Sequence, residues 1–164
     1  MKSAMQNGLV MGAIFSVNFL FSVSGINALI LFANIIPIAI VFILYKMSVG
    51  YRDSECHEVV SYGKAFLYLL LIFFYASLIS MIVKYLYLSY IDTTFLDTLY
   101  QETMKMMDTM KLPVNTSEME GMAEQMFKPL NYSLIYIWWN MFTGTFVSLI
   151  LAAFIKKEKN IFQE

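Results

Sequence analysis

Charge is what this sequence has least of: Asp, Glu, Lys and Arg make up 14% of its 164 residues, with one histidine, one cysteine and three prolines. Each scarcity excludes a class of function. A lone Cys56 can form no internal disulfide and no multi-cysteine metal site. His57 stands beside it, between Glu55 and Glu58, without a second imidazole or thiol to complete a zinc site. Nothing around this pair supplies an identifiable base and oxyanion donor, so an exposed polar loop is the expectation there. No glycine-rich phosphate loop and no Ser–His–Asp set can be assigned. No catalytic residue and no cofactor is therefore expected. A net charge of −1 offers no cationic footprint, which removes nucleic acid from the partners.

What fills the space is apolar. Hydrophobic residues reach 59% and the mean hydropathy is +0.64, whereas soluble domains run near 45–50% apolar and about 25% charged. The expected partner is the lipid bilayer. Because an ionised side chain at mid-bilayer is expensive, charge-free runs mark the spans. The first, Ser3 to Tyr45, is 43 residues long, about twice the ~20 needed to cross ~30 Å of hydrocarbon. Two helices joined at Ser24-Gly25-Ile26-Asn27 accommodate it, at about 8–23 and 27–45. Further spans are expected at about 65–91 and 131–155. The predicted fold is all-α, an integral membrane four-helix bundle forming a single domain over 1–164.

Lysine and arginine predict the sidedness. The amino end, the 46–64 loop and the tail together carry a positive excess of two, and the 92–128 loop a negative excess of four. Both termini are then expected in the cytoplasm. Aromatic residues mark the edges: Tyr85, Tyr87, Tyr90, Tyr132, Tyr136, Trp138 and Trp139 on the outer side, Tyr45, Tyr51 and Tyr62 on the inner. A competing reading makes the first apolar segment a signal peptide cleaved near Val23-Ser24-Gly25. It leaves the sidedness unchanged, but Lys2 is a thin basic region and Asn18 interrupts the apolar core.

The outer loop 92–128 carries helical patterning. Asp92 is placed to cap a helix with apolar positions Phe95, Leu96, Leu99, Met106 and Met110, stopped by Pro113. Ser117 and Glu120 read as a capping box opening a second short helix that ends at Pro129. The expectation is two amphipathic helices on the outer surface. Six methionines there, Met104, Met107, Met110, Met119, Met122 and Met126, are the weak candidates for a soft-metal site, since thioethers select Cu(I). Adaptable Met filling an apolar stripe is the favoured reading, so no metal is assigned.

Within the spans, Ala4, Gly8, Gly12 and Ser16 recur every fourth residue and predict close helix approach within the chain. Asn18 and Asn34 each lie eight residues from Ile26, about 12 Å below the turn, and are expected to hydrogen-bond each other. Pro37 frees the carbonyl of Ala33 as a further acceptor. Asn140, with Ser77, Ser80 and Thr143, extends this set toward a polar pathway, though no mid-membrane acid accompanies it. Lys84, near the outer edge, is expected to snorkel toward water or meet an acid of the outer loop.

Where the second loop meets the third span, Tyr51-Arg52-Asp53 is followed by Val59-Val60-Ser61-Tyr62-Gly63-Lys64-Ala65-Phe66. This run resembles a family of bacterial membrane proteins, the domain-of-unknown-function family numbered four thousand one hundred and ninety-nine, found largely in Bacteroidota. The resemblance extends to the layout: two early spans, the motif, an Ile91-Asp92 step, a Met- and Glu-rich helical loop and a lysine tail. Tyr51, Arg52, Ser61, Tyr62, Gly63, Ala65 and Phe66 carry it; Glu58 departs, standing where a small residue such as glycine is expected. The resemblance implies a four-span protein of the bacterial inner membrane and supplies no catalytic residues. In the residues themselves, Gly63 permits a turn, Ser61 can cap, and Arg52 can meet lipid phosphate, Asp53 or Glu55. The leading functional reading is a non-enzymatic structural or accessory subunit contacting a membrane protein partner or a second copy. A small transporter or channel component using Asn18 and Asn34 is the alternative, and copper binding the third.

Overall fold

The computed structural model describes residues 2–109 and 116–157, the side chains of 116–119 excepted. Met110, Lys111, Pro113, the side chains of Ser117 and Met119, and the tail beyond Lys157 lie outside the described residues, and so do the expectations attached to them. The elements are α1 (Lys2–Ser22), α2 (Asn27–Glu55), α3 (Tyr62–Leu86) with a π-helical turn (Tyr87–Ile91), α4 (Phe95–Thr109), α5 (Thr116–Met126) and α6 (Pro129–Ile155). Four helices are long and apolar enough to cross a membrane: Lys2–Ser22, Asn27–Glu55, Tyr62–Ile91 and Pro129–Ile155. The fold is an all-α membrane bundle. Backbone polar groups find partners within each helix, which is what a lipid environment demands.

Turns fall where the backbone chemistry allows them. Gly25 takes φ +69° between α1 and α2, a left-handed conformation without penalty for glycine. Beside it the Ser24 hydroxyl donates to the Phe21 carbonyl and accepts from the Ile26 amide. Pro129 sits at the first position of α6, where a missing N–H costs nothing. Asp92 accepts hydrogen bonds from the Phe95 amide and the Thr94 hydroxyl, tying down the start of α4.

Helix ends and charge-free runs do not coincide. α2 continues ten residues past Tyr45 to Glu55, so most of the expected 46–64 loop is helix. A charge marks where lipid must end, not where intrahelical hydrogen bonding must. Leu44 and Ser48 remain buried on the same stripe of α2, and packing carries the helix onward. The π-helical turn closing α3 is likewise an addition, with the Asp92 amide reaching back to the Tyr87 carbonyl.

The chain divides into two compact units, Met1–Ser80 with Ile137–Glu164, and Met81–Tyr136. In the first, contacts set helix direction. Ser3 and Asn7 meet Tyr68, Gly8 meets Tyr75, and Gly12 meets Ile79, so α1 and α3 run parallel. Tyr62 meets Leu149 and Gly144 meets Phe73, so α6 runs antiparallel to α3. Its core joins Met11, Leu44, Leu69, Ile72, Phe73, Ala76, Ala152 and Ile155. Large apolar side chains such as Phe32, Ile38, Phe42, Phe146 and Phe154 are left on the outer helix faces, as lipid-facing surface would be.

Candidate functional site

The motif residues assemble at one end of the first unit. The Tyr51 ring lies flat on Tyr68, centroids 3.7 Å apart and planes 7° from parallel. Tyr68 hydroxyl accepts from Asn7 Nδ2 at 2.6 Å and shares a hydrogen bond with Ser3 Oγ. Arg52 divides its fork: Nε donates to Asp53 Oδ1 at 2.8 Å and Nη1 to the Ile155 carbonyl at 3.3 Å, near the end of α6. Tyr62 donates to the Leu149 carbonyl. Val60 and Lys157 exchange two backbone hydrogen bonds of 3.0 Å, and Lys157 Nζ pairs with Glu58. The motif thus ties α1, α2, α3 and α6 together through groups that would otherwise be available to a ligand.

The loop inside this arrangement holds two consecutive left-handed residues, His57 (φ 49°) and Glu58 (φ 65°). Glu58 stands where glycine was expected, and its backbone adopts the conformation glycine favours. Cys56 corrects the expectation of an open polar loop: it is buried in the core, while His57 and Glu58 are exposed. Ser61 is exposed and its hydroxyl caps nothing; the Ala65 amide bonds instead to the Ser61 backbone carbonyl. Arg52 pairs with Asp53 and not with Glu55. Gly63 has open space around it, Ala65 is buried, and Phe66 packs against the core.

In the second unit, aromatic rings form an unbroken sequence. Tyr100 meets Phe127 edge-on, Phe127 meets Tyr132, and Tyr132 meets Tyr136. The Lys84 ammonium lies over the face of the Tyr136 ring. Lys84 is 3% exposed, so of its two expected fates, reaching water or meeting an acid of the outer loop, the first does not hold. Its side chain is enclosed in that unit, with the amine on the Tyr136 ring face. At the other end of the ring sequence opens a cleft of about 300 Å³, bordered by Thr93, Leu96, Asp97, Tyr100, Glu124, Phe127, Lys128 and Pro129.

The other sequence-selected residues divide between packing and dispersal. Gly8, Gly12 and Ser16 are buried on one face of α1. A Cβ added at Gly8 would lie 2.5 Å from Tyr75 Cβ, and at Gly12 2.7 Å from Ile79 Cβ. Ser16 donates to the Gly12 carbonyl. The Asn18–Asn34 hydrogen bond is not formed: Asn34 Nδ2 donates to Ile30 O of its own helix, on an exposed face, and the buried Asn18 Oδ1 has no partner. The nearby Ile30 carbonyl satisfies Asn34 without any reach across helices. Pro37 lies on an exposed face inside α2, Asn140 is half-buried, Thr143 is exposed, and Ser77 bonds to the Phe74 carbonyl of its own helix. Asn34, Pro37 and Thr143 thus lie on exposed faces, while Ser80 is buried in α3. Met104 and Met107 are half-buried on α4, and Met122 and Met126 are exposed on α5. Among the described residues no group of three His, Cys, Asp or Glu side chains could hold a metal ion.

Tyr68, Lys157 and the full cleft border carry no sequence signal of their own, and Tyr136 reads only as one of the outer-edge aromatics. Tyr68 and Tyr136 are apolar-compatible tyrosines inside spans, and only a buried partner distinguishes them from lipid-facing rings. Lys157 was counted only as one of several tail charges.

Comparison with known proteins gives one match. A family model described as "Protein of unknown function (DUF4199)" matches residues 6–157. No curated protein and no solved structure matches the chain.

Proposed function

The chain belongs to the family described as protein of unknown function (DUF4199), and from that premise we propose that it is a non-enzymatic accessory subunit of a membrane assembly. It sits in the bacterial inner membrane with both termini cytoplasmic, and its partner is a membrane protein or a second copy of itself. The charge bias of the loops supports the orientation. The observation that carries the role is the fate of the polar groups at the motif. Arg52, Tyr62, Tyr68, Glu58 and Lys157 are all engaged in bonds that join helices of the same chain. Such a latch builds a scaffold, and α4 and α5, in the long loop between the third and fourth spans, are the segment offered outside the bilayer.

Affinity purification of the tagged full chain from membranes in a mild detergent tests this. A stoichiometric membrane protein partner or a defined oligomer is expected. A monomer recovered alone, at native expression and after cross-linking in membranes, would contradict it.

A further inference from the structure

We propose that the cleft between α4 and α5 binds the headgroup of an ammonium-bearing phospholipid, with the ammonium held by Asp97 and Glu124 and the phosphate by Lys128. Three observations carry this. The first is position. Thr93 follows the last residue of the third span by two, and Pro129 opens the fourth, so the cleft lies at the ends of two membrane-crossing helices. Headgroups are the solutes concentrated at that depth. Tyr90, Ile91 and Leu130, all strongly exposed, flank these same residues in sequence and offer apolar surface for acyl chains.

The second is charge. Two carboxylates and one ammonium border the same cavity, and no ion pair joins any of the three to another described residue. Opposite charges left apart around one space suit a ligand that is itself zwitterionic. Ionised carboxylates only accept hydrogen bonds and a lysine only donates. Together they select an ammonium at one end and a phosphate at the other. The third is the wall. Tyr100 and Phe127 contribute rings to the border, and aromatic rings attract organic cations. A volume of about 300 Å³ lies at the small end of ligand sites, fit for a headgroup and not for a large cofactor.

The inference stands apart from the accessory role, since it needs no protein partner. The full chain in a mild non-ionic detergent is incubated with equal amounts of phosphatidylethanolamine and phosphatidylglycerol of matched chains. The lipid retained through gel filtration is then quantified by mass spectrometry. The expected preference for phosphatidylethanolamine is about tenfold, the product of exposed charge pairing and cation–ring attraction. Asp97→Asn with Glu124→Gln brings the ratio close to one, and either single substitution lowers it. Glu102→Gln, on α4 but off the cleft border, leaves the ratio unchanged. Helicity by circular dichroism confirms that each variant is folded. Equal retention of the two lipids, or a preference that survives loss of both carboxylates, overturns the proposal. So does displacement of the lipid by equimolar soluble phosphoethanolamine, which would make the ligand a free solute.

Discussion

Tyr68 concentrates several interactions of the first unit in one side chain: its ring takes the Tyr51 stack, and its hydroxyl accepts from Asn7 and shares a hydrogen bond with Ser3. Tyr68→Phe keeps the stack and removes the hydroxyl. The expected loss is about 1 kcal/mol, read as a lowered midpoint of thermal unfolding in detergent. Glu58 sets two effects against each other. Glycine at φ 65° relieves about 1 kcal/mol of left-handed strain. It also gives up an exposed ion pair with Lys157, worth at most about 1 kcal/mol. Glu58→Gly should therefore leave stability nearly unchanged, while Glu58→Val, β-branched in that conformation, loses about 2 kcal/mol or more. Equal destabilisation by the two substitutions would show that the loop is not held in this geometry. Sequence pattern could mark position 58 as unusual. It could not reveal that the chain keeps the glycine-like conformation without the glycine, because that depends on Val60 and Lys157 bonding across the ends of α3 and α6.

Among the helices, small residues separate into those that allow contact and those that do not. Gly8, Gly12 and Gly144 have neighbouring side-chain atoms where a Cβ would go, whereas Gly50 in α2 has open space. Helix association in lipid rests on packing and not on hydrophobic burial, so close approach matters directly. Gly8→Ala and Gly144→Ala should each destabilise by about 1–3 kcal/mol through overpacking. Gly50→Ala should stabilise by up to about 1 kcal/mol through helix propensity. Denaturation of the purified protein by sodium dodecyl sulfate measures all three, and a stabilising Gly8→Ala would mean that α1 does not lie against α3. The four-residue recurrence of Ala4, Gly8, Gly12 and Ser16 made one contact face visible in advance. Gly144, Ser148 and Ala152 recur in the same way on α6 and are all buried, but that this stripe meets Phe73 of α3 depends on the rotation of α6, which residue counting does not give. The Asn18–Asn34 expectation failed for a related reason. Depth in the hairpin was readable from residue counting, but rotation about the α2 axis was not, and the Ile30 carbonyl was nearer.

For the whole molecule, the number of traverses follows from the expense of carrying ionised groups through lipid, and charge-free runs made that legible. The extent of the helices was less so. α2 outruns its lipid-compatible segment because packing at Leu44 and Ser48 continues, and the latch at Tyr51, Arg52 and Tyr68 depends on contacts far apart in sequence. Within the first unit, the parallel course of α1 and α3 and the return of α6 bring Ser3 and Ile155 to the end that holds the motif. That arrangement requires the start of α1 and the end of α6 to share one side of the membrane.

Cysteine accessibility in intact cells reads this directly. In a Cys56→Ala background, single cysteines at Lys2, Lys157 and Glu120 are exposed to a membrane-impermeant maleimide before and after permeabilisation. The expected result is labelling of position 120 in intact cells, and of positions 2 and 157 only after the membrane is opened. Labelling of positions 2 and 157 from opposite sides in the uncleaved chain would contradict four traverses, and with them the arrangement on which every role assigned above rests.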